Sequence, residues 1–221
     1  MLKIQSPLDK GPEGMIVDIE CHVSNGLPGI TIVGYANRAV DEAKERLRSA
    51  FASSKLTLPR KRITINLAPA DIPKESTSFD AAVATAILAS SNQLKHKPDS
   101  TTAIIGEIGL DGTIRPVRGI LGKLLAGKRS GITKFILPTG NFEQALLIPH
   151  ITLVPINSLG KLYAYFNGSN TLKEHDTASG TIPENSTAED TEILQLADII
   201  GQQRAKRAME IAAAGGHNIL L

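Results

Sequence analysis

Arg62-Ile63-Thr64-Ile65-Asn66-Leu67 sets Ile63, Ile65 and Leu67 on one side of an extended chain and Arg62, Thr64 and Asn66 on the other. Successive side chains of a strand point to opposite faces, so the alternation predicts a strand with one buried face and one wet face. Residues 16–23 repeat it: Val17, Ile19, Cys21 and Val23 alternate with Asp18, Glu20 and His22. Between these strands, Val40, Ala43, Leu47, Ala50 and Phe51 recur at helical spacing, and Glu42 and Arg46 lie four apart, placed to pair. A second helix is expected from near Ser78, burying Phe79, Ala82, Val83 and Ile87. Residues 103–107 and 113–115 flank Leu110-Asp111-Gly112, and Asp-Gly is a strong hairpin signal. A third helix carries Ile120, Leu121, Leu124 and Leu125, with strands to follow near 134–137 and 152–155. Elements in this order predict a mixed α+β domain, not a regular parallel βαβ array.

The chain has 221 residues, 42% of them hydrophobic, which is enough to build a core and excludes wholesale disorder. Its single cysteine, Cys21, has no intrachain partner. His22, His96, His150, His175 and His217 show no mutual ligand spacing, so no metal site is expected. The N-terminal residues lack an apolar signal region, and no apolar run approaches the roughly 18–20 residues of a membrane span. A soluble, cytoplasmic protein with no membrane partner is the expectation. The net charge of +2 hides a partition. Residues 1–166 carry 20 Lys and Arg against 14 Asp and Glu, whereas residues 167–192 carry Lys173 against six acids. The second stretch is rich in Ser, Thr, Asn and Gly and nearly free of large apolar residues, so it reads as an acidic flexible linker. From Ile193 the hydrophobic pattern resumes and runs to Leu221.

Four stretches in order resemble the bacterial YifB/ComM family of magnesium-chelatase-like proteins. They are Ser24-Asn25-Gly26-Leu27-Pro28 followed by Thr31-Ile32-Val33-Gly34, residues 61–71 (KRITINLAPAD), Lys74-Glu75 with Phe79-Asp80, and residues 106–117 from Gly106-Glu107-Ile108 to Arg115-Pro116-Val117. Residues 201–218 (GQQRAKRAMEIAAAGGHN) are similar to that family's entry into its AAA+ ATPase module. The resemblance implies a Lon-protease-like, ribosomal-protein-type two-layer domain over residues 1–166. The linker at 167–192 would follow, and then the start of an α/β AAA+ domain at 193–221, cut before the phosphate loop. It further implies a hexamer that uses ATP and Mg²⁺, and in ComM-type members a DNA helicase promoting branch migration during natural transformation. After Gly34 this chain has Tyr35-Ala36-Asn37-Arg38 where the family more often has a Leu-Pro-Asp stretch.

A Lon-like fold raises the question of a Ser–Lys peptidase, which needs a serine nucleophile and a lysine base within hydrogen-bond reach. Along the resemblance Ser78 falls at the nucleophile position, but the lysine position falls on Leu121, which cannot take a proton. Lys123 is about 200° further round the same helix and is expected to point away. Helix capping by Ser76, Thr77 or Ser78 is the competing reading, with Asp80 favouring the positive end of the helix. The domain is therefore expected to be proteolytically inactive.

A phosphate loop requires GxxxxGK[ST] between a strand and a helix, and no GK[ST] occurs in the 221 residues. No cofactor is therefore expected on this stretch alone, whereas the intact protein would use ATP and Mg²⁺. By resemblance, Ile199, Ile200 and Gly201 would lie against the adenine; the alternative is that the isoleucines belong to a core. Ala205, Ala208, Met209 and Ala212 make a small-residue helical stripe, and residues 218–221 read as a strand. The basic body offers Arg38, Lys44, Arg46, Arg48, Lys55, Arg60, Lys61, Arg62, Lys123, Lys128 and Arg129 to phosphates, but Asp41, Glu42 and Glu45 are mixed among them. DNA is thus expected as a partner mainly through the motor. The readings from other classes are a chelatase-type ATP-dependent chaperone, a Lon-like serine peptidase and a binding module.

Overall fold

The computed structural model describes residues 2–9, 14–33, 39–69, 76–169, 172–177, 202–217 and 219. The chain forms two compact units, residues 1–182 and 183–221. The first unit runs β1 (Lys3–Leu8), β2 (Met15–Ser24), β3 (Gly29–Val33), α1 (Ala39–Ser53), β4 (Arg62–Ala68), a 3₁₀ turn (Thr77–Phe79) and α2 (Asp80–Ser90). It continues with β5 (Thr102–Ile104), β6 (Glu107–Ile108), β7 (Ile114–Arg115), α3 (Ile120–Arg129), β8 (Lys134–Pro138), α4 (Phe142–Ala145), β9 (Thr152–Ile156), α5 (Leu159–Phe166) and β10 (His175–Asp176).

Eight strands make one mixed sheet in the order β10-β9-β8-β5-β1-β2-β4-β3, and β6 and β7 form the separate hairpin that Asp111-Gly112 predicts. Strands β9, β8, β5 and β1 are mutually parallel, whereas β1, β2 and β4 are antiparallel. Burial follows this division. In β2 and β4, Val17, Ile19, Cys21, Ile63, Ile65 and Leu67 are buried while their neighbours are at least partly exposed, as the alternation requires. The wet face carries a polar ladder in which Lys3 Nζ meets Asp18 Oδ2 at 2.9 Å and Asn66 Nδ2 donates to Glu20 Oε2 at 3.0 Å.

In β5, β8 and β9 both faces are covered. Ile104, Ile136, Val154 and Ile156 join α1, α2 and α5 in one core, while Ala103, Phe135, Leu137 and Leu153 join Ile120 and Leu124 of α3 in a second. The fold is therefore mixed α/β with helices on both faces of the parallel half. The two-layer arrangement falls short there because Ala103-Ile104-Ile105 and Phe135-Ile136-Leu137 are continuous apolar runs that need cover on each side.

The domain also continues past residue 166, into the stretch that composition assigns to the linker. Asn167 caps α5, and His175–Asp176 pair with β9 as the edge strand β10. Thr177 is buried and exchanges hydrogen bonds with Ile151 through both its backbone and its hydroxyl. Polar residues supply that order through hydrogen bonds, to which a hydrophobicity pattern is blind.

In the second unit α6 spans Gln203–Gly215 and ends on Gly216, whose φ of 63° suits a left-handed helix cap. Ala212 is buried and Ala205 and Met209 half-buried, whereas Ala208 is exposed and falls outside the expected stripe. The strand read at 218–221 lies outside the described residues except for Ile219, which is in no strand. Among the described residues no helix is long and apolar enough to cross a membrane.

Candidate functional site at the start of α2

The segment 76–80 combines hydroxyls with the first turn of a buried helix, and its hydrogen bonds determine what Ser78 does. Ser76 has extended backbone, and its Oγ accepts the Ser78 backbone N–H at 3.2 Å. Ser76 is therefore the capping residue among the three hydroxyls. Ser78 Oγ lies 2.7 Å from Ser76 Oγ, and Thr77 Oγ1 donates to the Glu107 carboxylate. The turn is also stitched to the hairpin: Gly106 N–H donates to Ser78 C=O at 2.9 Å, and Ala81 N–H donates to Gly106 C=O at 3.0 Å.

Asp80 follows, buried at the head of α2. It receives Arg46 Nε at 2.8 Å and Nη2 at 3.3 Å, with the Ile108 N–H at 3.5 Å from Oδ2. Burial pushes the Asp80 carboxyl up to about 6, with the Arg46 guanidinium and the Ile108 N–H pulling against it. Arg46, expected to pair with Glu42 along its own helix and electrostatically coupled to it, also ties α1 to α2. A bidentate fork is better used on a buried carboxylate than on a solvated neighbour.

Ser76, Thr77 and Ser78 line a cavity of about 300 Å³ together with Asp9, Val117, Arg118 and Lys123. The expectation for Lys123 is overturned. Its side chain is 4% exposed and paired with the Asp9 carboxylate, inside the cavity that holds Ser78. Lys123 does lie about 200° from Leu121, but it is the Lys123 side of α3 that faces inward. On α3 the buried residues Ile120, Lys123, Leu124 and Gly127 share the inward arc, and Leu121 sits on its flank, half-buried against the second core. Asp9 reaches Lys123 because Gly119 and Gly122 lack side chains: a Cβ at Gly119 would lie 2.0 Å from Asp9 Oδ2. A lysine on an apolar arc flanked by two glycines was the signal in the sequence. Its partner, 114 residues away, gave none.

The cavity thus holds a serine and a lysine, each engaged elsewhere. Among the described residues Ser78 Oγ is partnered by Ser76 Oγ, and Lys123 donates to Asp9. Ile199, Ile200 and Gly201 lie outside the described residues, and no cluster of three or more metal-ligating side chains occurs among those described.

The family model described as subunit ChlI of Mg-chelatase matches residues 19–141, and a second, described as magnesium chelatase, subunit ChlI, matches residues 195–221. The chain is 38% identical to competence protein ComM of Haemophilus influenzae over 98% of its own length and 42% of that protein. It is 40% identical to the uncharacterised protein YifB of Salmonella typhimurium, over 93% of this chain and 39% of YifB. It thus spans about two fifths of the length of these relatives. A Lon protease from Solibacter usitatus is 28% identical over 62% of the chain. The chain belongs to the magnesium-chelatase-like ChlI family, among its YifB and ComM members.

Proposed function

We propose that this chain is the N-terminal portion of a cytoplasmic AAA+ ATPase that works on DNA as a hexamer. Residues 1–166, extended through Thr177, are its Lon-type domain. The acidic stretch that follows is a tether, and residues 193–221 lead into the ATP- and Mg²⁺-dependent motor. The observation that carries this reading is the order of the two family matches, at 19–141 and 195–221, in relatives more than twice as long. Branch migration during DNA uptake is the activity that likeness to a competence protein favours. Within it the N-terminal domain serves assembly or presentation of the substrate. The test is ATP hydrolysis by the protein carried through the phosphate loop: turnover stimulated by branched DNA supports the reading, and none with or without DNA refutes it.

The cavity at Ser78 favours a peptidase enough to require its own test. A Ser–Lys dyad needs the lysine to accept the serine proton, but Lys123 donates to Asp9 and Ser78 bonds to Ser76. The domain is proteolytically silent on this reading, and casein is left intact by the chain. Hydrolysis that disappears in Ser78→Ala would reverse it.

A further inference from the structure

The structure sorts the basic residues that the sequence could only enumerate. Arg46 is committed to Asp80, Arg48 to Glu45, Lys123 to Asp9 and Lys128 to the Pro149 carbonyl. Lys44 and Arg129 also have partners. Arg38 lies outside the described residues. Lys55, Arg60, Lys61 and Arg62 remain. All four are exposed, and none has a side-chain partner among the described residues.

These four stand beside an open groove of about 570 Å³ between the 54–62 loop and the end of α2, lined by Thr57, Pro59, Lys61, Asn92 and Gln93 among others. The Gln93 side chain donates to the Thr57 carbonyl at 2.9 Å and fixes the two walls together. Further along the chain Lys95 and Lys97 are also exposed. Neither 54–62 nor 91–98 contains an acid. The end of a helix normally repels anions through its free carbonyls. Here Ile87 C=O is taken by Ser91 N–H, Leu88 C=O by Gln93 N–H and Ala89 C=O by Asn92 N–H.

We infer that this groove binds the phosphate backbone of a nucleic acid. Unpaired Lys and Arg with small hydroxyl and amide side chains are the groups that contact phosphate and sugar. The apolar lining is confined to Val23 and Pro59, which gives an acidic peptide no socket for its side chains. The inference deepens the DNA reading above, because it names the surface of the N-terminal domain that would hold the substrate while a motor acts on it.

The test uses the 221-residue chain and fluorescence anisotropy with labelled 30-nucleotide single-stranded and duplex DNA across a salt series. Four to six phosphate contacts give a log–log salt slope of about −3 to −5. Arg60→Glu/Lys61→Glu binds at least tenfold more weakly at low salt, with a slope flatter by about two. Lys55→Glu/Arg62→Glu, at the two ends of the 54–62 loop, weakens binding in the same direction and guards against misfolding of the first variant. Lys161→Glu/Lys173→Glu changes the net charge equally and leaves binding in place. Absence of binding by the wild type at low salt, equal weakening by the control pair, or tighter binding of polyglutamate than of DNA would each overturn the proposal. Failure of the motor reading is distinguished by its own readout, ATP turnover in the longer protein, which these surface charges do not supply.

Discussion

Strands β5, β8 and β9 are covered on both faces, whereas β2 and β4 give one face to water, and the polar chemistry follows that division. In the doubly covered half, side chains of both parities are core. In the half-open part, one parity is core and the other forms ladders such as Lys3–Asp18 and Glu20–Asn66. The unpaired cations lie at the end of the half-open part, where the loop into β4 meets the loop beyond α2. Arg46 and Asp80 pair between α1 and α2, and the buried Lys123 of α3 pairs with Asp9 just beyond β1. Lysine and arginine are therefore fasteners beneath the helices and in the Lys3–Asp18 ladder, and carry unpaired charge beside the groove.

The comparison is broken most severely in the doubly covered half. Phe135→Ala removes a fully buried ring packed against Gly127 of α3 and costs about 4 kcal/mol in urea unfolding. Next comes Arg46→Ala, which strands the Asp80 carboxylate and costs about 3 kcal/mol at pH 7.5. That loss shrinks at pH 4.5, because a protonated Asp80 no longer needs the guanidinium. In the wild type the folded state holds the Asp80 proton up to about pH 6, whereas the unfolded chain releases it near 4. Raising the pH from 4 to 6 therefore removes stability relative to Asp80→Asn, and parallel pH–stability curves for the two proteins would contradict this assignment. Asp9→Ala leaves the buried Lys123 ammonium without its partner. It lowers stability by roughly 2 kcal/mol, since Asp9 is itself part-exposed, and it costs more than Lys123→Met. The smallest effect is on the wet face: Asn66→Ala forfeits one hydrogen bond to Glu20 and costs about 0.5–1 kcal/mol. A loss there as large as that at Phe135 would erase the distinction between the halves.

Much of the fold was legible wherever one period dominated. The alternation in β2 and β4, the Leu47, Ala50 and Phe51 stripe of α1 and the Asp-Gly hairpin all stand where spacing puts them, whereas on α3 the expected Leu125 is exposed. Strand β1 was not legible, because Ser6 and Pro7 are buried alongside Ile4 and Leu8 and blur its alternation. Nor was β3, an edge strand with only Ile30 fully buried, or β10, held by hydrogen bonds and an edge-on ring contact in a stretch with few large apolar residues. At the candidate site the sequence located Ser78 and the helix it precedes. It did not locate Lys123 in the same cavity. Helical period gives the angle between two side chains, but which arc faces inward depends on Ile120, Leu124 and Gly127 packing on the sheet. The Arg46–Asp80 and Lys123–Asp9 pairs join residues 34 and 114 positions apart, a separation that no local pattern reports.

The short strand β10 has a mechanical meaning. Four hydrogen bonds join residues 150 and 151 to Thr177, two of them through the threonine hydroxyl, and the His175 ring meets Phe142 edge-on at 4.8 Å. A pull on the chain beyond residue 177 reaches this clamp before it reaches the core. The anchor for whatever follows is thus a sheet edge, and the eleven residues from 167 to 177, worth about 35–40 Å of extended chain, are withdrawn from the reach of the tether.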